Sequence, residues 1–373
     1  MRKKILIFYI SRYSGHFHAA MAIEEGLREL RRDIDIVKIN ALDYTNPVLG
    51  KIINKTYIEI IKKKPQFWGH IYDNPKVLKK TKKAREALHR FNMSKIKRLL
   101  DEVSPDVIYC TQAFPCGMVA DYKRSCGKKV PLIGVLTDHA PHSYWLYDEV
   151  DHYVVPSSET AGVLEAKGIP AHRIKVYGIP VDPRFRVAHD KKKIMDKLDL
   201  TEDDPTVLVM GGSQGLGVME DVVRSFMKDT MHSYQLLVVA GSNRKLYNRL
   251  GRLSRKGENG HIKILPFVEN IDELMEASDL IVTKAGGMTT AEALVKNLPI
   301  LVVKPIPGHE RMNTDFLVGR GAAIEVSDHH GIYDETNRLF DSEGTLESMR
   351  RAVEKISKPD SAIDTAKLAF EGN

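Results

Sequence analysis

The chain has 373 residues, room for two domains of ordinary size. Hydrophobic residues make up 43% and charged residues 28%, the balance of a folded globular protein, which excludes a disordered or fibrous chain. The net charge of +7 is unevenly spread: residues 61–100 hold ten Lys and three Arg against Asp73 and Glu86, a local surplus of +11 that leaves the remainder at −4.

The basic start, Met1-Arg2-Lys3-Lys4, runs into Ile5–Ile10, an apolar run of only six residues with no small-residue cleavage site behind it. That pattern reads as a buried first strand and not as a signal peptide. From there strand and helix alternate, which predicts parallel sheets flanked by helices. Strands are expected near 4–10, 34–39, 106–111, 131–136 and 151–155, with helices near 17–31, 49–63, 76–102, 115–125 and 158–167. The turn-rich stretch Tyr177-Gly178-Ile179-Pro180-Val181-Asp182-Pro183 opens a charged segment, running to Asp204-Pro205, that reads as a linker. The rhythm then restarts, with strands near 206–210, 235–240, 262–265, 279–283, 300–303 and 322–326 and helices between them. Residues from Thr345 onward read as helical, with an acidic first turn after Gly344.

The fold class expected from this pattern is α/β, with two doubly wound domains facing across a cleft. The divisions fall at 1–185, 186–344 and a C-terminal helical segment 345–373. Ligands of such sheets bind beyond the carboxyl ends of the strands. No run of 18 apolar residues occurs, so no spanning helix is expected. Three cysteines, Cys110, Cys116 and Cys126, are odd in number and fit no zinc spacing; reduced thiols in a cytoplasmic protein are expected.

Interleaved with the basic residues of 61–100 are Phe67, Trp68, Ile71, Tyr72, Val77, Leu78, Leu88, Phe91 and Met93. Positive charge mixed with large apolar groups suits an anionic membrane surface. A solvated helix over 76–102, its inner face packed on the domain, accounts for the same residues. Nucleic acid is attracted to such charge too, but no nucleic-acid motif accompanies it and no such partner is expected.

Several strand ends carry candidate chemistry. Ser11–His18 joins the first strand to the first helix; Gly15 permits a tight turn, and His16 then stands at the helix start, where an imidazole can act as general base or simply pack. Val135–Trp145 leaves another strand and delivers Asp138, His142 and Trp145 to one rim. The alternatives are that Asp138 caps the next short helix and Trp145 fills a core edge. An Asp-His pair also ligates metal, but no third ligand is evident.

In the second half, Met210-Gly211-Gly212-Ser213-Gln214-Gly215 runs from a strand into a glycine-rich turn that offers backbone N–H groups to an anion. It lacks the Gly-Lys-Ser/Thr ending of a Walker loop. Pro266-Phe267-Val268 follows a strand and suits a flat base. Lys284-Ala285-Gly286-Gly287-Met288-Thr289-Thr290-Ala291-Glu292 brings paired glycines close to a diphosphate, offers Thr289 and Thr290 as caps or phosphate donors, and sets Glu292 to accept from two ribose hydroxyls. Pro307-Gly308-His309-Glu310 follows the next strand, either gripping sugar hydroxyls or opening a helix with Glu310 in its first turn.

With these residues together, the chain resembles the two-domain, Rossmann-like glycosyltransferases of GT-B type. It is most similar to the diacylglycerol glucosyltransferases and monogalactosyldiacylglycerol synthases, relatives of the muramyl N-acetylglucosaminyltransferase. The resemblance spans roughly 4–325 and rests on Gly15-His16, Thr137-Asp138 with His142 and Trp145, Gly211–Gly215, Pro266–Val268, Gly286 through Glu292, and Pro307–Glu310. It implies an inverting transfer of a hexose from UDP-glucose or UDP-galactose to the hydroxyl of diacylglycerol. No metal or cofactor is required, the UDP-sugar being a co-substrate.

The first domain would bind acceptor and an anionic membrane, peripherally on the inner face of the cell membrane, and the second would bind the donor. His16 would be the base, with Asp138 supporting it and His142 and Trp145 meeting the acceptor. Donor contacts would come from Gly15, Gly212, Ser213, Gln214, Phe267, Val268, Gly286, Gly287, Met288, Thr289, Glu292, His309 and Glu310. Many relatives read Gly-Gln-Glu where this chain has Gly308-His309-Glu310, so the residue at 309 bears on which hexose is carried. Transfer to another lipid-linked or soluble acceptor, epimerisation of a UDP-sugar, and non-catalytic UDP-sugar sensing remain as alternatives.

Overall fold

A computed structural model describes residues 2–12, 14–46, 75–215, 219–227, 233–254, 261–327 and 331–371; within 75–86 this means the backbone and the Lys80 side chain. The chain divides into two compact units. The first comprises Met1–Pro183, Ile306–His309 and Asp360–Asn373, and the second Arg184–Pro305 and Glu310–Pro359. The expected helix at 49–63 and the aromatic part of the basic segment (Phe67, Trp68, Ile71, Tyr72) lie outside the described residues.

In unit 1, β1 (Lys3–Tyr9), β2 (Ile34–Asn40), β3 (Val107–Cys110), β4 (Leu132–Val135), β5 (His152–Val154) and β6 (Ile174–Lys175) form one parallel sheet in the order β2-β1-β3-β4-β5-β6. Ile5 lies opposite Ile36 on one side and Val107 on the other. Side chains alternate between the faces: Leu6, Phe8, Ile108 and Cys110 enter one core, Ile5, Ile7, Tyr109 and Ile133 the other. Both faces are covered, which is why Ile5–Tyr9 is apolar without interruption.

The helices are α1 (Gly15–Leu30), α2 (Ala41–Thr45), α3 (Pro75–Val103), α4 (Ala113–Cys126) and α5 (Ser158–Ala166). On α3, His89, Asn92, Ile96, Leu99 and Leu100 are buried at helical spacing while Arg90, Lys95, Lys97 and Arg98 face water. Phe91 stands among those charges, 66% exposed. The helix enters β3 through 104–106 and so runs against the strands. A Cβ on Gly117, about one turn into α4, would stand 2.9 Å from His89 Cε1. Residues 75–88 therefore continue about 21 Å of helix past the carboxyl-end rim of this sheet.

The segment expected to be a linker is ordered in unit 2. A 3-10 turn at Pro183–Arg186 leads to α6 (Lys191–Lys197), where Asp190 caps by accepting from Lys193 N–H at 3.2 Å. Ile194 and Met195 bury against Ala277, an anchor masked in the sequence by Lys191-Lys192-Lys193.

The second sheet consists of β7 (Thr206–Met210), β8 (Gln235–Val239), β9 (Ile262–Leu265), β10 (Leu280–Thr283), β11 (Ile300–Val303) and β12 (Ala323–Val326), all parallel, in the order β12-β11-β10-β7-β8-β9. Around it lie α7 (Met219–Phe226), α8 (Arg244–Ser254), α9 (Ile271–Glu276), α10 (Gly287–Val295), α11 (His309–Gly319), α12 (Ile332–Asp341) and α13 (Thr345–Ile356).

The expected C-terminal segment divides between the units. After α13 the chain returns to unit 1, where α14 (Ser361–Lys367) lies along α1. A Cβ on Gly26 would stand 2.6 Å from the Ala362 carbonyl oxygen, so the two helices meet backbone to backbone. The Tyr109 hydroxyl donates to Thr365 O at 3.0 Å and Val181 N–H to Ser361 Oγ at 3.1 Å.

Candidate active site

Each sheet reverses its strand order at one point, between β1 and β3 in unit 1 and between β7 and β10 in unit 2. Connections leave on opposite faces at such a point, and a crevice opens beyond the carboxyl ends of the two strands. Most candidate residues follow strands at or beside these two positions, while Phe267 and Val268 follow the edge strand β9.

In unit 1, Ser14 caps α1: its Oγ accepts from Phe17 N–H at 3.3 Å and donates between Ile10 O (2.5 Å) and Ser11 O (2.8 Å). The left-handed residue of this loop is Ser11, with φ 53°, and not Gly15, which opens the helix with an ordinary φ. His16 follows, half-buried. Thr111, just after β3, donates to His16 O at 2.8 Å and lies 3.2 Å from Phe8 O. Thr137, two residues after β4, places Oγ1 3.0 Å from His16 Nδ1. With the proton on Nδ1, donated to Thr137, Nε2 keeps the lone pair a base needs.

Burial lowers the His16 pKa below its ordinary value; the Asp138 charge and a hydrogen bond from the ring to the Thr111 backbone oppose this, while His309 adds to it. The ring is therefore neutral at neutral pH and can accept a proton. His139 makes a poor competitor, because burial brings its pKa down to about 3.

The rest of this rim differs from expectation. The short helix at Ser143–Trp145 is capped by His142, whose Nδ1 accepts from Tyr144 N–H at 3.1 Å, and not by Asp138. Asp138 is half-buried and acts on His16 through its charge. Trp145 is 6% exposed and packs within the core, 3.5 Å from where a Cβ on Gly134 would stand. It offers no open ring face, because its hydrophobic area is already buried against the sheet.

In unit 2, the turn after β7 is closed by Gly215 N–H donating to Gly212 O at 2.9 Å, both glycines having positive φ. Ser242 N–H donates to Ser213 O at 2.9 Å, and a Cβ on Gly215 would stand 2.2 Å from Ala240 O, so this loop is pressed against the one after β8. Ser213 and Gln214 are half-buried on the turn.

After β10, Gly286 is the N-cap residue of α10 and makes no side-chain cap bond. Gly287, Met288 and Thr289 are buried in the first turn, and Glu292 is half-buried one turn later. Thr290 is turned inward, its hydroxyl bonded to Gly286 O and Gly287 O at 3.0 Å each, so it is no phosphate donor. Beyond β9, Phe267 is 48% exposed beside a half-buried Val268, an open aromatic face at the same edge of the sheet.

Glu310 is almost fully buried, 1% exposed, and forms an ion pair with Lys284 at 2.5 Å. Asn313, also buried, donates to Ala285 O at 2.9 Å and ties α11 to the loop after β10. His309 is half-buried and groups with unit 1. Among the described residues no group of three or more His, Cys, Asp or Glu is arranged to hold a metal ion.

Three residues that sequence reasoning left without a role belong to this picture: Thr111, Thr137 and Lys284. Their only signal in the sequence is position, each standing one or two residues beyond a strand end.

Two such α/β units, each built on a six-stranded parallel sheet that reverses its strand order once, are the architecture of a glycosyltransferase of GT-B type. Its fold is shared with MurG from Acinetobacter baumannii, at a TM-score of 0.67 and 15% identity over 99% of each chain. A family model for monogalactosyldiacylglycerol synthase matches residues 16–181, and one for the glycosyltransferase family 28 C-terminal domain matches 206–364. A processive diacylglycerol beta-glucosyltransferase from Bacillus subtilis strain 168 is 30% identical over 95% of this chain and 91% of its own. Its counterpart from Bacillus cytotoxicus is 28% identical over 99% and 94%. The chain belongs to the diacylglycerol glucosyltransferase family.

Proposed function

We propose that this hexosyltransferase moves glucose from UDP-glucose to the free hydroxyl of diacylglycerol at an anionic membrane surface, with inversion and without a metal. The choice of glucose and of diacylglycerol follows the names of the relatives. The observation that carries the reading is the His16 imidazole, neutral through burial and held at Nδ1 by Thr137.

An alcohol is a weak nucleophile, so its proton must leave as it attacks. His16 Nε2 takes that proton while the acceptor oxygen forms a bond to the anomeric carbon. The bond from that carbon to the diphosphate oxygen breaks on the opposite face, and UDP departs with the electron pair. One displacement inverts the centre. Charge building on the diphosphate is met by backbone N–H groups at the turn after β7 and at the start of α10.

Unit 2 offers the donor a row of contacts along one edge. Phe267 stands at β9 and Glu292 follows β10, three strand spacings or about 14 Å apart, a span that suits an extended uridine diphosphate. Phe267 would meet uracil and Glu292 the ribose hydroxyls. The membrane part of the reading is supported by α3, whose basic outer face bears Phe91 and whose first turns extend past the rim that holds His16. No described helix is long and apolar enough to cross a membrane.

The test is incubation of the purified chain with diacylglycerol vesicles and either UDP-glucose or UDP-galactose, followed by mass spectrometry of the lipids and sugar-specific digestion. A β-glucosyl lipid that forms with wild-type protein and not with His16→Ala is the expected result. Absence of a glycolipid with both donors would reject the proposal; donor converted without acceptor would point to epimerisation.

A further inference from the structure

The pair formed by Lys284 and Glu310 is out of keeping with a purely structural role. A buried ion pair is weak as a source of stability, because desolvating both charges offsets most of their attraction. Here the pair sits where unit 2 reverses its strand order. Lys284 is the first residue beyond β10, and Glu310 lies in the first turn of α11, after the neighbouring strand β11. The ammonium reaches over both glycine loops. A Cβ on Gly286 would stand 3.4 Å from Lys284 Nζ, and one on Gly212 3.7 Å from Lys284 Cε. Glycine at both positions leaves the space beside the ammonium open.

We infer that Lys284 is the cation that receives the donor's diphosphate, and that Glu310 holds its place until the donor arrives. The inference rests on the reading of unit 2 as the UDP-sugar unit. A diphosphate carries more charge than one carboxylate and presents several acceptor oxygens, so it draws the ammonium toward the glycine loops. No bond is made or broken in this exchange; one ion pair replaces another. Asn313 holds the loop between the two residues while this happens.

The test is calorimetric titration of the full chain with UDP and with uridine, which shares the base and ribose but lacks phosphate. Three variants are compared: Lys284→Arg, Glu310→Gln, and the double variant Lys284→Met/Glu310→Gln, in which no buried charge is stranded. For the double variant, UDP is expected to weaken by about 10- to 100-fold while uridine changes by less than about twofold. Lys284→Arg should keep most of the UDP affinity, and Glu310→Gln alone should tighten UDP by releasing the ammonium. Equal weakening of UDP and uridine in the double variant would mean that the pair only holds the fold, and unchanged UDP affinity would place the diphosphate elsewhere; either result overturns the inference. Failure of the wild-type chain to bind both ligands would instead reject the UDP-sugar reading beneath it.

Discussion

Thr137 Oγ1 stands 3.0 Å from His16 Nδ1, across the switch point of the first sheet. The two side chains come from residues 121 apart in sequence, and their contact occupies Nδ1 of the ring. Thr137 is thus a positioning residue. Thr137→Val, which keeps the shape and removes the hydroxyl, should lower kcat by about 10- to 100-fold with little change in donor KM. It should also move the acid limb of the pH–rate profile, and Thr137→Ser should restore both. A uniform loss of activity with an unmoved pH profile would assign Thr137 to packing alone.

Removing the base itself should do more. His16→Ala is expected to reduce turnover by about 10²- to 10⁴-fold, while UDP titrates the variant as it does the wild type. Retention of near-normal turnover would transfer the role of base to another group.

The pH dependence has a definite sign. The His16 pKa is lowered mainly by burial, and Asp138 pulls it back upward. Activity should therefore rise through an apparent pKa below the ordinary histidine value of 6.5 and stay level toward neutral pH. In Asp138→Asn the upward pull is lost, so this limb should move to lower pH and the plateau rate should fall, a less basic ring accepting protons less readily. A shift to higher pH would contradict the arrangement.

Glu292 can be tested through the sugar of the nucleotide. Glu292→Gln should weaken UDP by about tenfold and 2′-deoxy-UDP by much less, since a carboxylate accepts from paired hydroxyls better than an amide does. Parallel losses for both nucleotides would remove the ribose contact from the proposal.

Stability tests concern the return of the chain end to unit 1. The Gly26 position leaves no room for a methyl group, with Ala362 O at 2.6 Å. Gly26→Ala should cost about 1–3 kcal/mol and lower the melting temperature; the same change at Gly162, which faces open space, should have little effect. Equal melting temperatures would show that the two helices separate without penalty.

Much of the fold is readable from local chemistry. Strands β7, β9 and β11 fall within the expected ranges because a parallel strand buried on both faces must be a short, unbroken apolar run, and few other elements have that composition. The loop after β7 is similarly legible, since the close approach of the Ala240 backbone to Gly215 leaves no room for a side chain there. The division between the units falls where the linker is expected, at Pro183–Arg184, but the anchoring of its helix by Ile194 and Met195 is hidden because three lysines in a row outweigh two apolar residues in any composition window. Trp145 looked like a ligand platform because its ring can serve either a core or a substrate, and only burial distinguishes them.

By itself, then, the order of residues determined the alternating strand–helix plan, the glycine turns and the presence of His16, Asp138 and Glu292 in the loops and helix starts that follow strands, all of which depend on neighbours a few positions apart. Tertiary structure alone decided that Thr137 holds the His16 ring, that Lys284 meets Glu310, and that α14 closes the first unit. These contacts join residues far apart along the chain, and their energies exist only once the strands have taken their places in the sheet.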